Sequence, residues 1–362
     1  MRDGLLDPAT AIGNHQRANA PARAGVWAAI AVLTLAACTG GGGGSPAAPD
    51  GGGEATQPAA ADGYPEGPIT IVVPFAEGGP TDRVTRLIQN PMAEALGGEI
   101  VVQNVEGAGG TVAAEQVANA EPDGYTVLMH HIGMSTAPTL YPDLAYDPLE
   151  DFEMIGLVTE VPMTFIGSPE FEPNTMEELI AYVEENIDTV TYANAGTGAA
   201  SQLCGLLFES ATGLDLTEVP YDGTGPALED LLGNQVDFMC DQTTNTTEPI
   251  LDGSVKGYAV TTPERLETLP ELPTTEEVGL PEVQVTVFHG LYVPAGTPQE
   301  VLDALNAALV AALVDEEVST QLTELGAPPV PEDRATPEAH RELLQSQIEL
   351  WRPIIEEAGV TG

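Results

Sequence analysis

Four segments of this chain combine glycines with hydroxyl side chains where a helix should begin. They are Glu77-Gly78-Gly79-Pro80-Thr81-Asp82, Glu106-Gly107-Ala108-Gly109-Gly110-Thr111, Asn194-Ala195-Gly196-Thr197-Gly198 with Ser201, and Asp222-Gly223-Thr224-Gly225-Pro226. Free backbone N–H groups at a helix N-terminus, with the helix dipole behind them, favour an anion. A hydroxyl beside them adds a donor. The chemistry is that of gripping a small carboxylate. One glycine turn alone reads as an ordinary connection, but four with hydroxyls, two in each half, point to a cleft.

Bond-making chemistry finds little support. Gly107-Ala108-Gly109 is followed by Val112 where a dinucleotide fingerprint needs glycine, and the sole lysine, Lys256, ends no phosphate loop. Ser201 follows Ala199-Ala200, which is not the elbow of a serine hydrolase. His130 and His131 are adjacent on an expected strand, so they should face opposite ways and lack metal-pair spacing. Cys204 has no evident base partner. The residues argue for no catalytic group, no metal and no cofactor.

The elements that must position these turns repeat one pattern. Ile69–Val73, Ile100–Val102 and Tyr125–Met129 read as short β-branched strands, each of the first two followed by a glycine turn and an amphipathic helix. Thr189–Ala193, Glu218–Tyr221, Val236–Met239 and Gly257–Val260 repeat the grammar. Strand–helix alternation predicts an α/β fold with mainly parallel sheets, here in two lobes. Ligands in such sheets sit beyond the carboxyl ends of the strands, where the turns lie. From Thr297-Pro298 onward the pattern is helical, and the preceding strand Val283–Val293 is long enough to cross between lobes. Helices without their own sheet must pack on something already built. The expected division is therefore 64–165 and 289–362 for lobe 1, with 166–288 inserted as lobe 2.

The N-terminal residues set the compartment. Arg2, Arg17 and Arg23 precede the apolar run Ala24–Ala37, which is too short to span a bilayer and ends at Cys38. Residues 1–37 read as an export signal. The Leu35-Ala36-Ala37-Cys38 ending resembles a lipobox, whose cysteine is acylated; an ordinary cleaved signal is the alternative. Residues 38–63, with five consecutive glycines from Gly40, read as a flexible tether. Acids outnumber bases 56 to 10, for a net charge of −46, and loss of residues 1–37 would leave −47. Such a chain cannot neutralise phosphates, which excludes nucleic acid and a basic membrane-docking face. The acids read as a solvated shell. Cys204 and Cys240 are a candidate disulfide in an oxidising compartment, with two buried free thiols the alternative.

At Pro74-Phe75-Ala76-Glu77-Gly78-Gly79-Pro80-Thr81-Asp82-Arg83 the chain resembles the Bug or TctC-like solute receptors of tripartite tricarboxylate transporters. The likeness continues through Pro122-Asp123-Gly124-Tyr125-Thr126, Val219-Pro220-Tyr221-Asp222-Gly223, Leu232-Gly233-Asn234-Gln235-Val236-Asp237 and Pro294-Ala295-Gly296-Thr297-Pro298, covering residues 64–358. The resemblance implies a type II periplasmic-binding-protein fold, closing over a di- or tricarboxylate and delivering it to transporter membrane subunits. It implies an extracytoplasmic monomer that is not an enzyme. The ligand positions it implies are Phe75, Ala76, Gly78, Gly79, Thr81 and Asp82, then Thr197, Gly198 and Ser201, with Asp241 choosing among substrates. The placement of Cys204 and Cys240 resembles a subgroup of the family, which favours the bridge. Gln202, and Phe288 or His289, depart from the family pattern where relatives carry histidine and tryptophan, leaving the ligand open between carboxylates, aromatic acids and neutral solutes. A receptor of this form feeding a sensor kinase is the alternative role.

Overall fold

The computed structural model describes residues 63–362. The signal 1–37, the acylation candidate Cys38 and the tether up to residue 62 lie outside the described residues. Among the described residues no helix is long and apolar enough to cross a membrane.

The first lobe begins with β1 (Ile69–Val73), an apolar strand with parallel neighbours on both sides: β2 (Ile100–Asn104) and β3 (Thr126–His131). Each strand runs into a helix at its carboxyl end: α1 (Pro80–Leu96), α2 (Thr111–Ala118) and α3 (Gly133–Leu140). Val84, Ile88 and Met92 on one face of α1 are buried, as helical spacing requires. Gly97 ends that helix in the left-handed conformation, its N–H closing on the last turn.

Next comes β4 (Phe152–Gly167), a 16-residue strand that belongs to both lobes. Its first part pairs antiparallel with β9 (Thr286–Pro294), from Phe152↔Pro294 to Pro162↔Thr286. From Met163 it pairs instead with β7 (Phe238–Gln242), and also with β8 (Lys256–Val260). Pro162, which has no N–H to give a ladder, sits where the partner changes. Around β4 the second lobe builds α4 (Met176–Glu185), β5 (Thr191–Asn194), α5 (Ala200–Thr212), β6 (Thr217–Pro220), α6 (Thr224–Leu232) and α7 (Thr243–Asp252). β5 lies between β6 and β7, all parallel. The strand order is β2-β1-β3-β9-β4-β7-β5-β6, with β8 also on β4. Each lobe thus carries three parallel strands, and the strands that join the lobes are antiparallel. The closing helices are α8 (Gln299–Leu313), α9 (Glu316–Glu324) and α10 (Pro337–Ala358). α8 and α9 pack on α1, and α10 packs on α3 and β4, burying Leu344, Ile348 and Trp351.

A disulfide joins Cys204 on α5 to Cys240 on β7 across 36 residues. Lys256 has a structural post: its ammonium donates to the carbonyls of Phe171 and Pro173 and to Asn174 Oδ1, pinning the loop after β4.

Candidate functional site

The loop between β1 and α1 is held by its own acid. Asp82 is buried, and Oδ2 accepts from Gly78 N–H (3.0 Å) and Arg86 Nε (2.8 Å). Asn104 Nδ2 donates to Asp82 Oδ1 (3.1 Å) and to the Phe75 carbonyl (2.8 Å), tying the loop to β2. Burial pushes this carboxyl up, but the hydrogen bonds from Arg86, Gly78 and Asn104 outweigh it and hold it below the usual range. A carboxyl depressed in the folded state adds stability above its unfolded pKa, and that stability is lost as pH falls through the lower folded value. Asp82→Asn should therefore lower the urea midpoint at pH 7, and the loss should shrink as pH falls through the folded value, where the native group also becomes protonated. Equal losses at neutral and acid pH would mean that Asp82 acts by shape alone.

In the second lobe Ser201, at the start of α5, accepts from Ala195 N–H through Oγ (2.9 Å), leaving its hydroxyl proton for another acceptor. The Thr197 carbonyl accepts from Tyr141 Oη (2.8 Å), and the Gly198 carbonyl from Thr136 Oγ1 (3.3 Å), both donors coming from the first lobe. Ala76 N–H donates to the Asp222 carbonyl (3.2 Å), a third bond between lobes. Glycines allow this approach. A Cβ at Gly109 would stand 2.1 Å from the Thr197 carbonyl, and one at Gly225 would stand 3.1 Å from Gly79 N.

Two cavities lie along this meeting line. The inner one, about 20 Å³, is lined by Phe75, Pro80 and Thr81 from one lobe with His131 at its wall, and by Ser201, Thr224, Asp241 and Gln242 from the other. That volume holds roughly one water, so the lobes here are shut. The outer one, about 410 Å³, is lined by Gly107–Gly110, Tyr141, Thr197, Tyr221 and Asp222. Phe75 and Ala195 border both. A larger groove of about 710 Å³ between α1, α7 and α9 contains none of the expected ligand positions.

Of those positions, Phe75, Thr81, Ser201 and Asp241 meet at the inner cavity, and Thr197 lines the outer one. Ala76, Gly78, Gly79, Asp82 and Gly198 line neither. Their amides, apart from Asp82, already donate: Gly79 to the Ala76 carbonyl, Gly198 to Gln202 Oε1, Gly78 to Asp82, Ala76 to Asp222. The free donors lie one step further along. Helical bonding starts at Arg83 N–H to Gly79 and Leu203 N–H to Ala199, so the amides of Thr81, Ser201 and Gln202 precede the ladder. No side chain caps α1, α2, α5, α6 or α7, whereas Thr175, Asp315 and Thr336 cap α4, α9 and α10 away from the cleft. α3 and α8 also begin without a side-chain cap.

Sequence reasoning missed His131, Thr224 and Gln242 as lining residues. Thr224 stood in a flagged turn, and the His130-His131 pair was visible. The two imidazoles do not stand on opposite faces: β3 ends at His131, and their rings meet edge-to-face at 5.1 Å. His131 stacks on Phe75 at 4.8 Å. Burial lowers all three cleft histidines, His130 to about 4, His289 to about 3 and His131 well below its ordinary value. His289 Nε2 lies 3.3 Å from Thr81 Oγ1, so this departure from the family pattern touches the site. Burial raises Asp241 to about 6 against the bonds from Gln242, Thr224 and Asn245. No three His, Cys, Asp or Glu among the described residues are placed to hold a metal.

The model of the "Tripartite tricarboxylate transporter family receptor" family matches residues 84–360. A UPF0065 protein from the TAR-I ttuE-ttuC' intergenic region of Agrobacterium vitis is 47% identical over 300 residues, covering 83% of this chain and 87% of that one. The structure of the periplasmic binding protein BugD superimposes with a TM-score of 0.81 at 49% identity, over 82% of this chain and 99% of that one. MatC from Rhodopseudomonas palustris with bound malate gives 0.79 at 42% identity, over 81% and 100%.

Proposed function

Because the chain belongs to the receptor family of tripartite tricarboxylate transporters, we propose that it captures a small di- or tricarboxylate in the cleft between the lobes, which part around the inner cavity to seat it, and delivers it to such a transporter's membrane subunits. Members of the family are extracytoplasmic solute-binding receptors with two lobes, not enzymes. The observation that carries the ligand reading is the convergence of uncapped helix starts from both lobes on one cavity bearing the Thr81, Ser201 and Thr224 hydroxyls. Malate in MatC supports the substrate class. The pairing of β4 with both sheets supports 64–165 and 289–362 as one lobe and 166–288 as the other. Acylation at Cys38 and a monomeric state complete the proposal, and a mature mass starting elsewhere than Cys38 would refute the anchor.

Calorimetry and thermal shift with malate and a panel of C4–C6 di- and tricarboxylates test the reading; a panel with no binder overturns it. The dependence on salt is informative too. No Lys or Arg lines the inner cavity, and the whole chain carries −46, so the far field repels the anion. Raising ionic strength from about 0.01 to 0.15 M shortens the screening length from about 30 to 8 Å and should strengthen malate capture, or leave it unchanged. Affinity that falls steeply with salt would reveal a cationic contact.

A further inference from the structure

Resting on the carboxylate reading above, we propose that capture is coupled to proton uptake: Asp241 enters the closed cavity as a neutral acid and donates a hydrogen bond through its O–H to the ligand's carboxylate. The geometry leaves few alternatives. Asp241 is 1% exposed and shares a cavity of about 20 Å³ with the anion's expected seat. When the lobes close around the ligand, its carboxylate and Asp241 become neighbours out of water, and like charges so placed disfavour ionisation of both without a cation between them.

No cation is supplied by the lining. The histidines of the first lobe are fixed in the neutral form by main-chain donors: Gly133 N–H to His131 Nδ1 (3.0 Å) and His131 N–H to His130 Nδ1 (2.8 Å). Protonating either ring would set two N–H groups against each other. His289 from β9 is buried and turned to Thr81.

The groups facing Asp241 from the packed elements fit the same conclusion. α7 offers Asn245 Nδ2 to Oδ2 (3.1 Å), and Gln242 N–H donates to Oδ1 (2.8 Å). α6 brings the Thr224 hydroxyl and β5 brings Tyr192. From β4, the Thr164 hydroxyl meets Thr246 Oγ1 (2.6 Å) and the Asp241 main-chain carbonyl (3.3 Å). Arg83 of α1 acts on it from a distance while paired with Glu248 at 3.4 Å. The carboxyl already lies near about 6, so an incoming anion need raise it only modestly to keep it protonated at neutral pH.

Uptake happens between the free and the ligand-bound pKa, and in that window affinity falls as pH rises, by up to tenfold per unit for one proton. Malate titrated calorimetrically at pH 7.5 in phosphate and in Tris, whose ionisation heats differ, should report uptake of about one proton at the limit. Its affinity should weaken up to about tenfold per unit above roughly pH 6.5, where carboxylic acids are already ionised. Asp241→Asn should bind malate about tenfold more tightly than wild type at pH 8, with no pH slope and no uptake. Malate binding by wild type with no proton taken up and a flat pH profile overturns this inference alone. So does loss of binding in Asp241→Asn, or proton uptake that persists in it. If Asp241→Asn does not fold, the wild-type proton count decides. No binder in the carboxylate panel overturns both this inference and the receptor reading.

Discussion

Gly109→Ala is expected to weaken malate binding about 10–100-fold without unfolding the protein. Gly109 belongs to the first lobe and has φ +61, and the added Cβ would lie 2.1 Å from the Thr197 carbonyl of the second lobe and 3.1 Å from Tyr141 Oη. Main-chain atoms cannot rotate away, so the lobes would have to part by more than an ångström. That parting breaks the Tyr141 bond to Thr197 and opens the cavity to water. Overpacking of this kind costs about 1–3 kcal/mol, and each 1.4 kcal/mol is tenfold in affinity. Gly97→Ala is the matched control. Its φ is +66 and nothing stands within 4 Å of its Cβ, so it carries the backbone strain without the collision. Solution scattering should show Gly109→Ala more open than wild type in malate, and Gly97→Ala closed. A Gly109→Ala protein that closes and binds like wild type would remove glycine-to-carbonyl contact as the basis of closure.

Breaking the Cys204–Cys240 bridge should cost about 3–4 kcal/mol of stability, the chain-entropy value for a loop of 36 residues. For a domain of this size that corresponds to roughly 5–6 °C in Tm. The bond ties α5, whose first turn carries Ser201, to β7, which carries Asp241 one residue past Cys240. The double variant Cys204→Ser with Cys240→Ser should therefore melt early, and reductant should lower the wild-type Tm toward it while leaving the variant unmoved. A wild-type Tm indifferent to reductant under unfolding conditions would show that the bridge contributes little.

The cleft combines two kinds of donor that differ in cost. Main-chain amides at helix starts are already oriented, because the helix bonds beyond them fix the peptide planes. Hydroxyls such as Ser201 and Thr81 are held by neighbours, Ala195 and His289, before any ligand arrives. Binding then spends little on ordering side chains, which suits a receptor that must also release its cargo.

Much of the fold follows from local sequence. Ile69–Val73 is a strand because β-branched residues fit a sheet buried on both faces, and α1 starts at Pro80 because a fixed φ and a missing N–H suit a first helical position. Strand β4 escaped that reading. Nearly all of its residues are buried, so alternation is lost, and Pro162 interrupts the run. The same is true of α3 and α7, whose buried faces are spread around short helices broken by Pro138 and Pro249.

The amino-acid sequence by itself determined the acidic shell and the hydroxyl-bearing turns, which depend on residue type, and the strand–helix alternation, which depends on periods of 2 or 3.6 along the chain; it offered Cys204 and Cys240 as a candidate bridge that the structure closes. Only the tertiary structure decided which donors remain free. Gly78 and Ala76 spend their amides on Asp82 and on Asp222 of the opposite lobe, while His131 and Thr224 reach the cavity wall. Those pairings join residues as much as about 150 positions apart, through rigid-body fit and strand register, and no local period encodes them.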